Sequence, residues 1–462
     1  MTLASLLFEH PAAADAALLH SAAVTLTAGE ARARAERVAA ELLAGGVEPG
    51  HGVAVQLPDA LDAVIAMFGI WRAGAVFVPV NPRSPAAERD NAFVATRPAA
   101  LLSGGPPQRL ADPAAFAADV AFVTWTSGTT GVPKPVLHTH ANYLELLDRV
   151  LAPLRGGSAP AADRRPTPNL VPVSLALNAG IYNVLFGLRA GAEVVVMDRF
   201  EPRVFAELVA RFAIRSTVLP PAAMAMLSDA TDVVDLAPLR YVRSITAPLS
   251  PLQARRFADK FGVVVLNGYG QAEIGEVIGW TAADAREHPE KLGAVGRAHP
   301  GVSIRIAVDD GEGGADGDSG PIGRLLVRPP TTAVGIDPTR VDADGFVDTG
   351  DLARLDTDGF VWIEGRAGDV INRGGNKVFP EHVEEVLCLV PGVAEAAVVG
   401  RADDRLGEVP VAYVVATAAV TDDELVAACR EHLAPYKVPV EFRRLEALPR
   451  SEVGKVLRRE LS

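Results

Sequence analysis

Thr126-Ser127-Gly128-Thr129-Thr130-Gly131-Val132-Pro133-Lys134 is the stretch from which the rest of the chain can be read. The apolar run before it, residues 121–125, predicts a short buried strand that stops where the hydroxyls begin. Gly128 and Gly131 let backbone N–H groups approach an anion with no Cβ in the way. The hydroxyls of Thr126, Ser127, Thr129 and Thr130 add donors, and Lys134 adds a positive charge. A phosphate fits that donor set. The spacing is not G-x-x-x-x-G-K-[ST], so this is not a Walker A loop.

A chain of 462 residues exceeds one ordinary core, and two or more domains are expected. Its 49% hydrophobic and 22% charged residues are those of a globular protein. The formal net charge of −13 argues against a nucleic-acid or anionic-membrane surface, so positive charges for a phosphate must be placed locally. Residues 1–20 carry Glu9, His10 and Asp15 where a secretory signal needs an apolar core. No apolar run reaches membrane-spanning length, and a cytoplasmic location is expected. The two cysteines, Cys388 and Cys429, fall in helix-like segments and read as buried reduced thiols.

Helix-like and strand-like periods alternate from residue 24 to 79, with helices over 31–44 and 60–73 and strands over 52–57 and 75–79. Residues 83–119 read as a helix and a surface connection. A second alternating series predicts strands at 170–173, 193–197, 216–219, 241–245 and 263–266. Helices are expected between them at 180–189, 202–212, 221–228 and 251–261, several opening with proline in the first turn. A β-rich stretch, 301–362, completes a large domain, and a compact βα unit follows residue 365. The fold class is α/β: a large domain (1–365) of two βα-layered sheets plus a β-rich subdomain, then a small α+β domain (366–462).

Five further stations follow the opening stretch in order. They are Asn267-Gly268-Tyr269-Gly270-Gln271-Ala272-Glu273, the 344–351 segment ending Thr349-Gly350-Asp351, Gly365-Arg366, the segment 369–381 with Gly374-Gly375, and the 448–458 tail with Gly454-Lys455. With the opening stretch they resemble the superfamily of acyl-CoA synthetases, peptide-synthetase adenylation domains and firefly-type luciferases, over nearly the whole chain. The resemblance implies ATP, Mg²⁺ and coenzyme A, or phosphopantetheine on a carrier protein, as reactants and cofactors. It implies that Thr126, Ser127, Gly128, Thr129, Thr130, Gly131 and Lys134 hold phosphates, and that Asn267, Gly268, Tyr269, Gly270 and Gln271 meet the adenine. Tyr269 would offer a ring face, and Glu273 would ligate Mg²⁺, a hard cation that prefers oxygen. Asp351 would take the ribose hydroxyls, Arg366 would contact ribose and phosphate, and Lys455 would reach the carboxylate and α-phosphate. Lys455, Glu273 and Lys134 are the expected catalytic residues. Gly374 and Gly375 would line the thiol passage, and Gly368 takes the place of the usual Asp or Lys hinge of a mobile C-terminal domain. Ala272 stands where relatives commonly carry a hydroxyl.

The acyl pocket is expected along 172–179, with Leu175, Ala176 and Asn178, and at Ile245 and Thr246. No aspartate stands in this region to pair with a substrate ammonium, which disfavours α-amino acids. The bulk of Ile245 and Thr246 is expected to close a long acyl channel and leave room for a short or compact acid. The resulting activity is ATP-dependent formation of an acyl adenylate, then transfer to coenzyme A. Loading of an acyl carrier protein, transfer to an amine, and nucleotide binding without catalysis stand as alternatives.

Overall fold

Helix Ala60–Arg72 is buried at every position except Asp62 and Arg72, because it is wedged between a sheet and a second helix. That second helix, Ala28–Ala44, turns Ala31, Ala35, Ala39 and Leu42 inward at three- and four-residue steps. A Cβ on Gly69 would lie 2.7 Å from Val38 Cβ, so glycine sets the approach of the two helices. The computed structural model describes residues 1–84, 86–126, 134–155, 166–245, 247–308, 320–450 and 456–461.

The sheet beneath these helices has a parallel centre of Ala100–Leu102, Gly52–Val55, Val76–Pro79 and Val120–Thr126, in that order. Antiparallel Gln108–Arg109 and Lys134–Thr139 form its edges. One correction arises here. Residues 83–119 are not only a helix and a surface connection, because Ala100–Leu102 is an interior strand paired with Gly52–Val55. Three residues carry no periodicity; burial between neighbours makes this a strand.

A nine-stranded sheet takes up the second alternating series, with Asn169–Val171, Val194–Val196, Ser216–Val218, Tyr241–Ser244 and Val264–Gln271 running parallel. The N-terminal hairpin, Ala17–His20 with Thr25–Thr27, joins this sheet rather than the first, Leu19 standing opposite Val194. Helix His140–Arg155, absent from the sequence expectation, links the edge strand Lys134–Thr139 to this second layer. Four antiparallel strands, Ser303–Ala307, Gly323–Arg328, Val347–Leu355 and Val361–Arg366, form the β-rich part.

The smaller C-terminal part has Val393–Asp403 paired with Gly407–Ala416, backed by helices Pro380–Leu387 and Asp422–His432. Its core includes Ile371, Val383, Leu387, Val398, Val414, Leu425 and Cys429. Among the described residues no helix is long and apolar enough to cross a membrane.

Ion pairs concentrate where the two parts meet. Glu364 takes Arg354 Nε and His382 Nε2, each at 2.8 Å, and Arg458 reaches Asp369 at 3.4 Å and Glu381 at 2.9 Å. Gly365 lies between these groups with φ 144°, and a Cβ there would stand 2.5 Å from Glu381 Oε2. Gly365→Ala is therefore expected to cost about 1–3 kcal/mol in backbone strain, measured as a lower urea midpoint at unchanged slope.

Candidate active site

Strand Val347–Leu355 alternates, and its buried face carries Val347, Thr349, Asp351 and Ala353. An aspartate on that face must find partners, since an unpaired buried charge is costly. Asp351 Oδ1 lies 2.8 Å from Arg366 Nε, its register partner on the neighbouring strand. Oδ2 accepts a hydrogen bond from Gln271 Nε2 at 3.1 Å and another from the Tyr269 hydroxyl. Gln271 Nε2 also donates to the Thr349 carbonyl at 2.8 Å.

The reach of Tyr269 and Gln271 follows from strand geometry. The expected strand 263–266 runs on as Val264–Gln271, so the motif does not begin at a strand's end but is itself strand. Tyr269 and Gln271 are two apart, share a face and arrive at one carboxylate. The chain then doubles back as Gly275–Gly279. A Cβ on Gly270 would stand 2.2 Å from the Gly275 carbonyl oxygen, so this glycine serves the hairpin. The Tyr269 ring leans on the apolar cluster of Ile274, Val277 and Ile278. Burial first, and the Asp351 carboxylate second, hold its phenol well above the usual range. It anchors Asp351 as well as presenting a ring. Asn267 lies apart from this cluster, lining a groove of about 370 Å³ with Pro251, Trp280 and Leu292.

Glu273 sits 3.1 Å from Arg340 Nη1, and Arg340 Nη2 donates to Gln271 Oε1 at 2.9 Å. Arg340 is not among the residues expected from sequence. Its only signal there is a place shortly before the 344–351 segment. Hydrogen bonds from Thr339 hold the Asp337 carboxyl below its ordinary range, with the charges of Arg340 and Lys134 adding to the effect. The exposed Lys134 thus stands near this group. Among the described residues no three His, Cys, Asp or Glu side chains converge on one point. Glu273 alone fits Mg²⁺ in the way that ion is commonly held, by one or two carboxylates with phosphate oxygens and water.

Ser127, Gly128, Thr129, Thr130, Gly131, Thr246 and Lys455 lie outside the described residues. Thr126 and Lys134 stand opposite each other in an antiparallel pair. The segment with Lys455 lies between Arg450 and Val456, which form an antiparallel bridge.

At the expected acyl pocket, Leu175 is buried in the main core, and Ile245 packs against the same cluster. Ala176 is half-buried, and Asn178 Oδ1 accepts from the Tyr143 hydroxyl at 2.8 Å. A glutamate, Glu276, also lies near this region. Its Oε1 would lie 3.0 Å from a Cβ on Gly268, while Ile245 Cγ2 would lie 3.1 Å from the same point. Glu276 is matched by Arg243 at 2.8 Å and His299 at 3.2 Å. Burial alone would raise its pKa, but Arg243, His299 and Tyr182 outweigh it and hold the carboxyl below the usual range.

Gly374 and Gly375 take φ 58° and 84° at the exposed tip between Ile371–Arg373 and Asn376–Val378, so a two-residue hairpin turn accounts for both glycines. Gly368 is exposed in the short helix Ala367–Asp369 with open space where its Cβ would be. Both cysteines are free; Cys429 lies within a helix and Cys388 just past one. Burial pushes the Cys388 thiol up to about 12 and the Cys429 thiol to about 11. Neither is a thiolate at neutral pH, so an acceptor thiol would come from another molecule.

Tyr269, Gln271, Asp351 and Arg366, from three separate segments, thus meet in one cluster. The chain belongs to the AMP-binding enzyme family, matching it over residues 8–115 and 103–336, and the AMP-binding enzyme C-terminal domain over 382–455. It is 32% identical to 4-coumarate–CoA ligase-like 9 of Oryza sativa subsp. japonica, over 94% of this chain and 87% of that one. ATP-bound MatB from Rhodopseudomonas palustris has a similar structure, with TM-score 0.85 and 25% identity over 100% of this chain and 98% of that one. The amide bond synthetase McbA from Marinactinospora thermotolerans is similar too, with TM-score 0.84 and 26% identity over 99% of this chain and 98% of that one.

Asp351→Ala is expected to weaken AMP binding by about 10–100-fold by titration calorimetry, and Tyr269→Phe by less. Native protein at pH 8 is expected to resist iodoacetamide at both cysteines, which become reactive in urea.

Proposed function

We propose that this chain activates a carboxylic acid as its acyl adenylate and then transfers the acyl group to the thiol of coenzyme A. The observation that carries the reading is the meeting of Tyr269, Gln271 and Arg366 on the Asp351 carboxylate. Four residues proposed for a nucleotide, from three separate motifs, converge on one point, which packing alone does not require.

In this reading a substrate carboxylate oxygen attacks the α-phosphorus of ATP. The O–P bond forms, the α–β bridging bond breaks, and pyrophosphate leaves with the electron pair. Asp351 orients the ribose, and Arg366 lies beside it to neutralise nearby phosphate charge. Lys134 and Lys455 offset negative charge developing in the transition state. When bound at Glu273, Mg²⁺ supplies further charge neutralisation on the phosphates. Arg340 fixes the Glu273 carboxylate and Gln271 together, so one side chain aligns the metal-holding and nucleotide-holding groups. In the second step the thiol sulfur attacks the acyl carbon, the C–O bond to AMP breaks, and the thiol proton passes to solvent. We assign residues 1–365 and 366–462 as the two domains, with Gly368 as the hinge that exchanges the adenylation face for the thiol passage at Gly374 and Gly375.

The likeness to an amide bond synthetase supports a second acceptor, an amine, by the same first step. ATP–pyrophosphate exchange across short, dicarboxylic, aryl and long-chain acids tests adenylation. Exchange is expected with one group of acids, and Lys455→Ala is expected to lower it by about 100-fold or more while leaving AMP affinity within about threefold. Exchange that persists in Lys455→Ala would remove that lysine from the chemistry.

A further inference from the structure

The connection after strand Gly323–Arg328 is tied to several parts of the site in turn. The Ala333 amide donates to the Glu273 carbonyl and the Val334 amide to the Leu137 carbonyl, each at 2.8 Å. Leu137 belongs to strand Lys134–Thr139, whose first residue is proposed above for phosphate charge. Farther on, Val341 bridges Val347, the first residue of the Asp351 strand. Three separate pieces of the site thus fix residues 333–341, and Arg340 is the one cation in that stretch.

A guanidinium carries five N–H donors and no acceptor. Arg340 uses three of them among the described residues. Nε donates to the Asp348 carbonyl at 3.0 Å, Nη1 to Glu273 Oε1 at 3.1 Å and Nη2 to Gln271 Oε1 at 2.9 Å. One N–H on each terminal nitrogen remains, and 31% of the side chain is exposed. Arg149 and Arg243, by contrast, turn inward to Glu145 and Glu276. The bond from Arg340 engages Glu273 through Oε1, which leaves Oε2 to a metal ion.

The order of contacts tells which part of a nucleotide Arg340 would meet. Asp351, proposed for the ribose, accepts from Gln271 Nε2, and Gln271 Oε1 accepts from Arg340. An amide and two hydrogen bonds separate the carboxylate from the guanidinium, so Arg340 addresses what extends beyond the ribose. On its other side stand Glu273 and Lys134. Hydrogen bonds from Thr339 lower the Asp337 carboxyl, and the charges of Arg340 and Lys134 add to that effect, so both cations lie about the short helix Pro338–Arg340. Two cations and a carboxylate fit to hold Mg²⁺, all past the ribose end, suit a polyphosphate.

We propose that Arg340 is a substrate-binding residue whose two remaining N–H groups hold the β- and γ-phosphates of ATP and then the pyrophosphate that leaves. This rests on the adenylation reading above and goes beyond the alignment of Glu273 with Gln271. As the α–β bridging bond breaks, negative charge gathers on the leaving pyrophosphate, and a fixed guanidinium there favours the transition state. AMP has neither phosphate, so its binding does not draw on these N–H groups.

The test is titration calorimetry of the full chain with Mg²⁺ and, separately, ATP without acid, AMP, and pyrophosphate. Arg340→Gln is expected to weaken ATP by about 10–100-fold and AMP by less than about threefold, with part of the ATP loss recovered in Arg340→Lys. Equal loss of ATP and AMP would make Arg340 a positioning residue only, and unchanged ATP affinity would leave it no contact with phosphate. Either result overturns the assignment. If the variants do not fold, phenylglyoxal modification of Arg340 in the wild-type chain, located by peptide mass spectrometry, decides. Pyrophosphate with Mg²⁺ is expected to protect Arg340 and AMP is not; equal modification with and without pyrophosphate overturns the proposal. A wild-type chain that binds neither ATP nor AMP fails the adenylation reading itself.

Discussion

The Asp351 carboxylate is the constraint on which the site depends. It is buried on the inner face of an antiparallel strand, and its two oxygens are shared among Tyr269, Gln271 and Arg366. Those partners come from the nine-stranded sheet and from the end of the strand leading to the C-terminal part. One charge therefore fixes three pieces of chain relative to each other. Losing a partner of a buried charge commonly costs about 3–5 kcal/mol, which makes the geometry stiff. In the proposed reaction, orienting a ribose beside a reacting phosphorus would gain from that stiffness.

A second feature is how an acidic protein handles anions. With a formal net charge of −13, the long-range field repels ATP and carboxylates alike. The protein answers locally. Arg340 offsets Glu273, Lys134 stands near Asp337, and Arg149 and Arg243 surround Glu276 in the interior. Arg340, Arg149 and Arg243 each sit within contact of an acid that holds its position, so anions meet oriented donors rather than a diffuse basic surface. The C-terminal part is joined by the same device, Arg458 meeting Asp369 and Glu381.

Most of the parallel strands and the helices between them were legible because they carry their own period or a proline-opened first turn, as in Pro202–Arg211 and Pro251–Phe261. What escaped depends on contacts distant in sequence. Ala100–Leu102 is too short to show a period, and the hairpin at residues 17–27 belongs to the second sheet only because Leu19 meets Val194. At the candidate site, Tyr269, Gln271, Asp351 and Arg366 were singled out by their motifs, and the fold brings them together. Arg340, Glu276 and Arg149 were not, because an isolated charge in a loop, strand or helix looks like solvated surface until the fold buries it. Gly270 and Gly374 were readable as glycines, but the hairpins they close supply the reason for them.

The central claim is that a carboxylate oxygen bonds to the α-phosphorus of ATP. Turnover with an acid labelled with ¹⁸O in its carboxylate, followed by mass spectrometry of the nucleotide product, tests it most directly. The account predicts one ¹⁸O atom in AMP and none in pyrophosphate. Label in pyrophosphate or inorganic phosphate, or AMP formed without label, would contradict it.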